Sequence, residues 1–217
     1  VLILSLDTSA AASAGLVRNG VVLQRFASTD TRSHAEVLAP AVEQLLAAAA
    51  VRGTELDAIV VGVGPGPFTG LRAGIATARM LSFVWSVPLH GVMSLDAVAL
   101  DAGHAGGEFA VATDARRKEV YWARYRTESP LPVLVDGPHV GPAEDVPDLP
   151  VYGRGAGLYA ERLTGSAAAT ELTPDAAALA LVAEHTLARG GTLRPTTPLY
   201  LRESDAKVPG PRKKALL

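Results

Sequence analysis

The sequence predicts an α/β protein of two related lobes, and three observations carry that prediction. Extended apolar runs come in two groups of three, each group is followed by a short strand and a helix, and a loose stretch of small residues separates the groups. With 217 residues, 48% of them hydrophobic, the chain can bury one substantial core or two smaller ones that share an interface.

The first group comprises residues 1–8, 12–18 and 21–28, and Asn19-Gly20 between the last two has the chemistry of a two-residue hairpin turn. From Ser33 the spacing becomes helical: Val37, Leu38, Ala41, Val42, Leu45, Leu46 and Ala49 recur at intervals of three and four. Ser33 is the N-cap candidate, with Glu36 three residues on to complete a capping box, and Gly53 ends the helix. Residues 58–63 read as a short buried strand. The strand runs into a glycine-rich turn over residues 62–70, and a second helix follows over residues 69–86. A strand at Leu89–Val92 and a helix starting at Ser94 precede the loosened segment 102–107.

That segment sets the lobe boundary. Residues 1–104 are expected to form the first lobe, 105–203 the second, and 204–217 a flexible basic tail. The second lobe opens with extended runs at 109–113, 119–126 and 131–135, followed by a Pro/Gly/Asp-rich connection over 137–150. A short strand at Val151–Tyr152, a glycine turn over 153–157 and a helix over 174–189 complete it.

Composition narrows the function classes. There is no cysteine, so neither a disulfide framework nor a thiolate metal site exists, and a cytoplasmic home is the simplest expectation. Residues 1–8 lack the basic front and small-residue cleavage site of a signal peptide, and no run reaches the ~18 apolar residues of a membrane span. A soluble protein without membrane attachment is expected. The net charge of -2 offers no broad attraction for a polyanion, so contact with RNA would come through partners. Lys207, Arg212, Lys213 and Lys214 make the tail basic; a solvated terminus is the ordinary reading and an RNA contact the sharper one.

Several motifs could carry chemistry. Asp7-Thr8-Ser9 ends the first strand, where α/β proteins place ligand-facing groups, yet the same residue types also bond their own backbone in turns. The turn from Gly64 to Gly70 packs three glycines and two prolines into seven residues ahead of a helix N-terminus, which suits an anion. It lacks the lysine of a Walker loop, and a phosphate cradle and a structural turn both stay open. Thr113-Asp114-Ala115-Arg116 mirrors Asp7 in the second lobe. Two carboxylates in one cleft could bracket a metal-bound phosphate, whereas Arg116, Arg117 and Lys118 favour ion pairing with Asp114. Gly153 and Gly155 allow close backbone approach to a nucleoside or a plain turn. His34, His90, His104, His139 and His185 show no i, i+4 pair, so the paired-histidine zinc site of a metalloprotease is absent. The helix over 69–86 is apolar nearly all round, through Leu71, Ile75, Ala78 and Trp85 on one side and Ala73, Ala76, Met80, Phe83 and Val84 on most of the rest. One face can pack on the sheet. The other needs a cover, from the preceding helix or from another chain.

The run from Gly64 to Gly74, GPGPFTGLRAG, resembles the GPGxFTGLRxG signature of the TsaB (YeaZ) family. Leu6-Asp7-Thr8-Ser9, Ser33-His34-Ala35-Glu36, Ser94-Leu95-Asp96, Asp114-Ala115-Arg116-Arg117 and Pro198-Leu199-Tyr200-Leu201-Arg202 support the match in the family's order. The resemblance implies an actin-like, Hsp70-like and sugar-kinase-like (ASKHA) fold, with two lobes that each hold a mixed β-sheet flanked by helices. It implies a non-catalytic scaffold for a TsaD-type enzyme that transfers threonylcarbamoyl to tRNA adenosine. A TsaE-type ATPase joins the assembly, tRNA is met indirectly, and self-pairing as a homodimer is a further expectation. No catalytic or metal-ligating residue is expected here. The partner or dimer surface falls on His34, Val37, Leu38, Ala41, Val42, Leu45, Phe68, Thr69, Leu71, Arg72, Ile75 and Arg79. A vestigial nucleotide cleft would use Asp7, Thr8, Ser9, Asp114, Gly153 and Gly155. No cofactor is required, weak ATP or ADP binding with magnesium is allowed, and an active small-molecule kinase or ATPase is the alternative. Pro67 stands where the family's loop more usually has serine, which removes one hydroxyl from that loop.

Overall fold

The computed structural model describes residues 1–28, 34–102 and 106–202, with the side chains of residues 34 and 35 excepted. The N-cap candidate Ser33, His104 and the basic tail lie outside the described residues, as does the side chain of His34.

In the first lobe, β1 (Leu2–Asp7), β2 (Ser13–Arg18) and β3 (Val21–Ala27) form the expected antiparallel meander. After α1 (His34–Ala48), β4 (Ala58–Gly62) adds parallel to β1. After α2 (Phe68–Trp85), β5 (Leu89–Val92) adds parallel to β4, which gives the order β3-β2-β1-β4-β5. The second lobe repeats this wiring. Helix α3 (Ser94–Asp101) leads into the meander β6 (Glu108–Asp114), β7 (Glu119–Arg126) and β8 (Val133–Pro142). Then β9 (Val151–Tyr152) pairs parallel with β6, and β10 (Ala167–Ala168) pairs parallel with β9. The resulting order is β10-β9-β6-β7-β8, so each sheet has its first strand central, its meander on one side and two parallel additions on the other. The duplication read from the spacing of elements is thus a duplication of topology.

Strand alternation builds the layers. Leu2, Leu4 and Leu6 of β1 face one way, with Leu38, Val42 and Leu45 of α1 and Ile75 and Ala78 of α2. Ile3 faces the other way, toward Ala177, Leu179 and Ala180 of α5 (Ala176–Ala188). Helix α3 lies between the sheets: Leu95, Val98 and Ala99 pack with Phe109, Val111, Ala123 and Tyr125 of the second sheet. The far side of that sheet packs Ala112, Val120 and Trp122 with Ala156 of α4 (Arg154–Leu158). Tyr125 OH donates to Asp96 Oδ1 at 2.8 Å and ties α3 to β7.

Four sequence expectations change. Strand β8 extends to Pro142, well into the segment read as a connection, because its edge pairing with β7 accommodates the Gly137-Pro138 step through irregular register. The glycine turn at 153–157 is the short helix α4, and β10 carries too little apolar pattern to be seen. The assignment of residues 105–203 to the second lobe also fails at its end. Helix α5 returns to pack on β1, β2 and β4 of the first sheet, and its N-cap Asp175 accepts bonds from the N–H groups of Ala177 and Ala178. Residues 194–202 then run back along the first lobe. Arg194 exchanges backbone hydrogen bonds with Gly91 of β5, Leu199 N–H donates to Val63 O at 2.8 Å, and Tyr200 stacks on Phe68 at 4.6 Å. This strap ends at Arg202, which ion-pairs with Glu119 and donates to Ala115 O at 3.0 Å in the second lobe.

The closeness of α5 to the sheet gives the first prediction. A side chain on Gly15 of β2 would stand 2.7 Å from the Ala177 backbone. Gly15→Val should cost about 1–3 kcal/mol by forcing the helix off the sheet, read as a lower urea midpoint with an unchanged denaturant slope.

Candidate functional site

The carboxyl ends of β1 and β6 meet at an interlobe cleft of about 230 Å3, lined by Ser9, Ala10, Ala11, Pro67, Thr113, Asp114, Arg116, Arg154, Leu158, Thr173 and Pro174. Of the six residues expected in a nucleotide cleft, Ser9 and Asp114 line it.

Asp7 and Thr8 do not. Asp7 is fully buried, its Oδ1 accepts from Ser9 N–H at 2.8 Å and Ser9 Oγ at 2.6 Å, and its Oδ2 accepts from Ser94 Oγ at 2.6 Å. Ser94 Oγ in turn accepts from Gly64 N–H at 3.1 Å. Any side chain at Gly62 would collide with Asp7 Oδ2, and any at Gly74 with Thr8 Oγ1, which donates to Gly70 O at 2.7 Å. The glycine-rich turn is therefore wrapped around the end of β1, and its glycines serve that packing. Gly153 and Gly155 are equally committed: a Cβ on either would stand under 3 Å from the backbone of Ala112 or Thr113 in β6. They bring α4 against the strand, not a nucleoside against the backbone.

Asp114 accepts from Arg116 N–H at 2.8 Å, its Oδ2 lies 3.3 Å from Arg116 Nη1, and Tyr159 OH donates to Oδ1 at 3.3 Å. The ion pair expected from the basic run is present. The two mirrored aspartates do not face one metal, since one is sealed in the first lobe and the other is held by Arg116. The tip of the β6–β7 hairpin is itself strained: Arg116, Arg117 and Lys118 have φ of 61°, 57° and 63°. Left-handed backbone costs non-glycine residues about 1–2 kcal/mol each.

Burial pushes the Asp7 carboxyl up to about 6, against the opposing hydrogen bonds from Ser9 and Ser94. A folded-state value above the unfolded one stabilises the fold on the acid side, and the gain is lost as pH rises through about 6. The difference from 3.8 is worth up to about 3 kcal/mol. Asp7→Asn should therefore lessen, without abolishing, the rise in stability between pH 7 and pH 5 measured by urea denaturation, because burial pushes Asp96 and Asp101 up to about 6 as well.

The second candidate surface is the α1–α2 pair. Leu38, Ala41, Val42, Leu45, Leu71 and Ile75, expected on a partner surface, are buried in the first lobe's own core. A partner cannot touch them while the lobe stays packed. Val37 is half-buried against that core, while Phe68, Thr69, Arg72 and Arg79 remain at the surface. The outer face of α2 instead shows Phe83 85% exposed, Met80 66% and Val84 64%. These three recur at i, i+3 and i+4, a second apolar stripe that the sequence displays once the first stripe is assigned to the core. Beside them the Arg72 guanidinium lies 3.6 Å over the Phe68 ring and its Nε donates to Tyr200 OH at 3.1 Å. Arg79 Nη2 donates to Thr196 O at 2.8 Å. The strap thus extends the α2 surface, a contribution with no signal in local periodicity.

A family model described as TsaD, tRNA N6-adenosine threonylcarbamoyltransferase, matches residues 22–131. An uncharacterized protein of Mycobacterium tuberculosis strain H37Rv is 40% identical over 208 residues, covering 94% of this chain and 93% of that protein. The Escherichia coli tRNA threonylcarbamoyladenosine biosynthesis protein TsaB is 36% identical over 129 residues, 58% of this chain and 55% of that protein. The solved structure of YeaZ from Pseudomonas aeruginosa superimposes with a TM-score of 0.80 at 33% identity, covering 92% of this chain and 99% of that one. The two mixed sheets and their flanking helices form the two-lobed, actin-like fold expected from the resemblance. With nearly the whole chain aligned in both sequence and structure, this protein belongs to the TsaB (YeaZ) family of tRNA threonylcarbamoyladenosine biosynthesis proteins.

Proposed function

We propose that the chain is a non-catalytic scaffold and activating subunit of the complex that transfers threonylcarbamoyl to the adenosine beside the anticodon, in tRNAs reading codons that begin with A. It acts with a TsaD-type catalytic subunit and a TsaE-type ATPase, and meets tRNA through them. The observation that carries this reading is the uncovered apolar stripe of Met80, Phe83 and Val84 on α2, flanked by the cations Arg72 and Arg79. Exposed apolar side chains grouped on one helix face mark an interaction surface. The same stripe would serve self-pairing as a homodimer when the enzyme is absent.

No catalytic group is assigned to this chain. Asp7 and Thr8 are engaged inside the first lobe, which weighs against the kinase or ATPase alternative. The scaffold needs no cofactor, and ATP or ADP with magnesium would bind weakly. Among the described residues no helix is long and apolar enough to cross a membrane, and work on tRNA favours the cytoplasm.

Two expectations test the reading. In a reconstitution with TsaD, TsaE, the adenylate-forming enzyme, threonine, bicarbonate, ATP and unmodified tRNA, modified adenosine should form only when this chain is included. Product formed equally without it would sink the scaffold role. Phe83→Asp should weaken co-elution with TsaD by about 2 kcal/mol or more, a hot-spot loss, while circular dichroism stays unchanged. Leu71→Asp or Val42→Asp should instead unfold the lobe, because each buries an unpaired charge in the core.

A further inference from the structure

We infer that the strap over residues 194–202 is a relay between the lobes: it ties the Phe68–Arg72 end of α2 to the tip of the β6–β7 hairpin, so that occupation of the α2 face changes how tightly that tip is held. On the first lobe the strap is anchored along its length. Arg194 exchanges backbone hydrogen bonds with Gly91, where a Cβ would stand 2.6 Å from Pro195 O. Arg79 Nη2 donates to Thr196 O at 2.8 Å and to Thr196 Oγ1 at 3.2 Å. The Leu199 side chain packs both with the first lobe's core and with the cluster that α3 forms on the second sheet. Tyr200 then stacks on Phe68, and its hydroxyl accepts from the Arg72 guanidinium that lies over the same Phe68 ring.

Two residues on, roughly 7 Å of extended chain, Arg202 reaches the second lobe. Its Nη1 donates to Ala115 O at 3.0 Å, and its guanidinium pairs with the Glu119 carboxylate. Ala115 and Glu119 are the residues that close the hairpin, since Ala115 N–H donates to Glu119 O at 3.0 Å. Arg202 therefore staples the neck of a loop whose tip residues, Arg116, Arg117 and Lys118, all have left-handed backbone. Such a conformation persists only where its surroundings hold it. Arg162 Nη1 supplies a grip on Lys118 O from within the second lobe, and the strap supplies one that originates in the first.

The link is short and stiff. Pro195 and Pro198 fix φ at two positions of the strap. Leu201 alone separates Tyr200 from Arg202, so a shift of the Tyr200 ring moves the Arg202 backbone. A molecule seated on the α2 face meets Phe68, Arg72 and Arg79, the side chains that hold the strap. This last step rests on the docking role proposed for α2, whereas the relay itself does not. The relay ends at the cleft, because Arg116 of the tip pairs with Asp114 on the cleft wall. Coupling of this kind is reciprocal: freeing the tip must weaken the hold on α2 by the same factor.

The test is amide hydrogen exchange of the isotope-labelled full chain, read at Ala115 and Glu119, whose N–H groups bond within the hairpin. Arg202→Ala should speed exchange at both about tenfold, the loss expected for a charge-assisted hydrogen bond. Tyr200→Ala should speed the same two amides about threefold or more, a coupling of the size found between residues of one network, while the amides of β1 stay as slow as in the wild type. If Tyr200→Ala loosens β1 as well, Tyr200→Phe, which keeps the ring and loses only the Arg72 bond, is read against the same threshold. In the Arg202→Ala background the Tyr200 substitution should lose its effect. A change below that threshold with Arg202 in place, or an effect above it that persists without Arg202, overturns the relay. These rates are measured with no partner present, so a failed reconstitution with TsaD would sink the scaffold role and leave this outcome as it stands.

Discussion

A carboxyl group with no accessible surface must be satisfied by its neighbours, and the first lobe is arranged around that requirement at Asp7. Its acceptors take three hydrogen bonds from Ser9 and Ser94, and the space beside it exists because residue 62 has no side chain. Ser94 begins α3, Gly62 ends β4, and Ser94 also holds Gly64 at the start of the turn into α2. One polar group thus joins the first strand, the first parallel addition, the turn before α2 and the helix between the lobes. Burying such a group is costly unless its partners are fixed. That accounts for a turn built with so little freedom.

The same arrangement explains which part of the site was legible in the sequence. Asp7 at a strand end and glycines ahead of a helix are residue types shared by phosphate loops and tightly packed junctions. Sequence alone left both readings open, and the deciding fact, that Asp7 points inward, depends on Ser94, 87 residues away in the chain. The Asp114–Arg116 pair was readable because it is local. The meanders, the strands β4, β5 and β9 and the helices α1, α2 and α3 followed from period and turn chemistry. The return of α5 to the first sheet did not, since Ala176–Ala188 is apolar enough to pack against either lobe.

The buried residues among those expected at an interface share this ambiguity. An apolar face on α1 or α2 looks the same in sequence whether its cover is the sheet or a partner. Leu38, Val42, Leu71 and Ile75 are covered by the protein itself. The opposite stripe of α2 is left uncovered, and Phe83 there keeps most of its surface in water. The stripe is narrow and bordered by Arg72 and Arg79, whose side chains are pinned by Tyr200 and Thr196.

The strap formed by residues 194–202 has a mechanical meaning. Proteins built from two lobes around a cleft usually work as jaws, with a hinge that lets one lobe swing. Here the chain crosses between lobes at the end of α3, crosses back to place α5 on the first sheet, and crosses again where Arg202 grips Ala115 and Glu119. Each extra crossing removes a direction in which the jaws could open. The crossings brace one lobe against the other, and on the scaffold reading proposed above a docking surface would gain from that bracing.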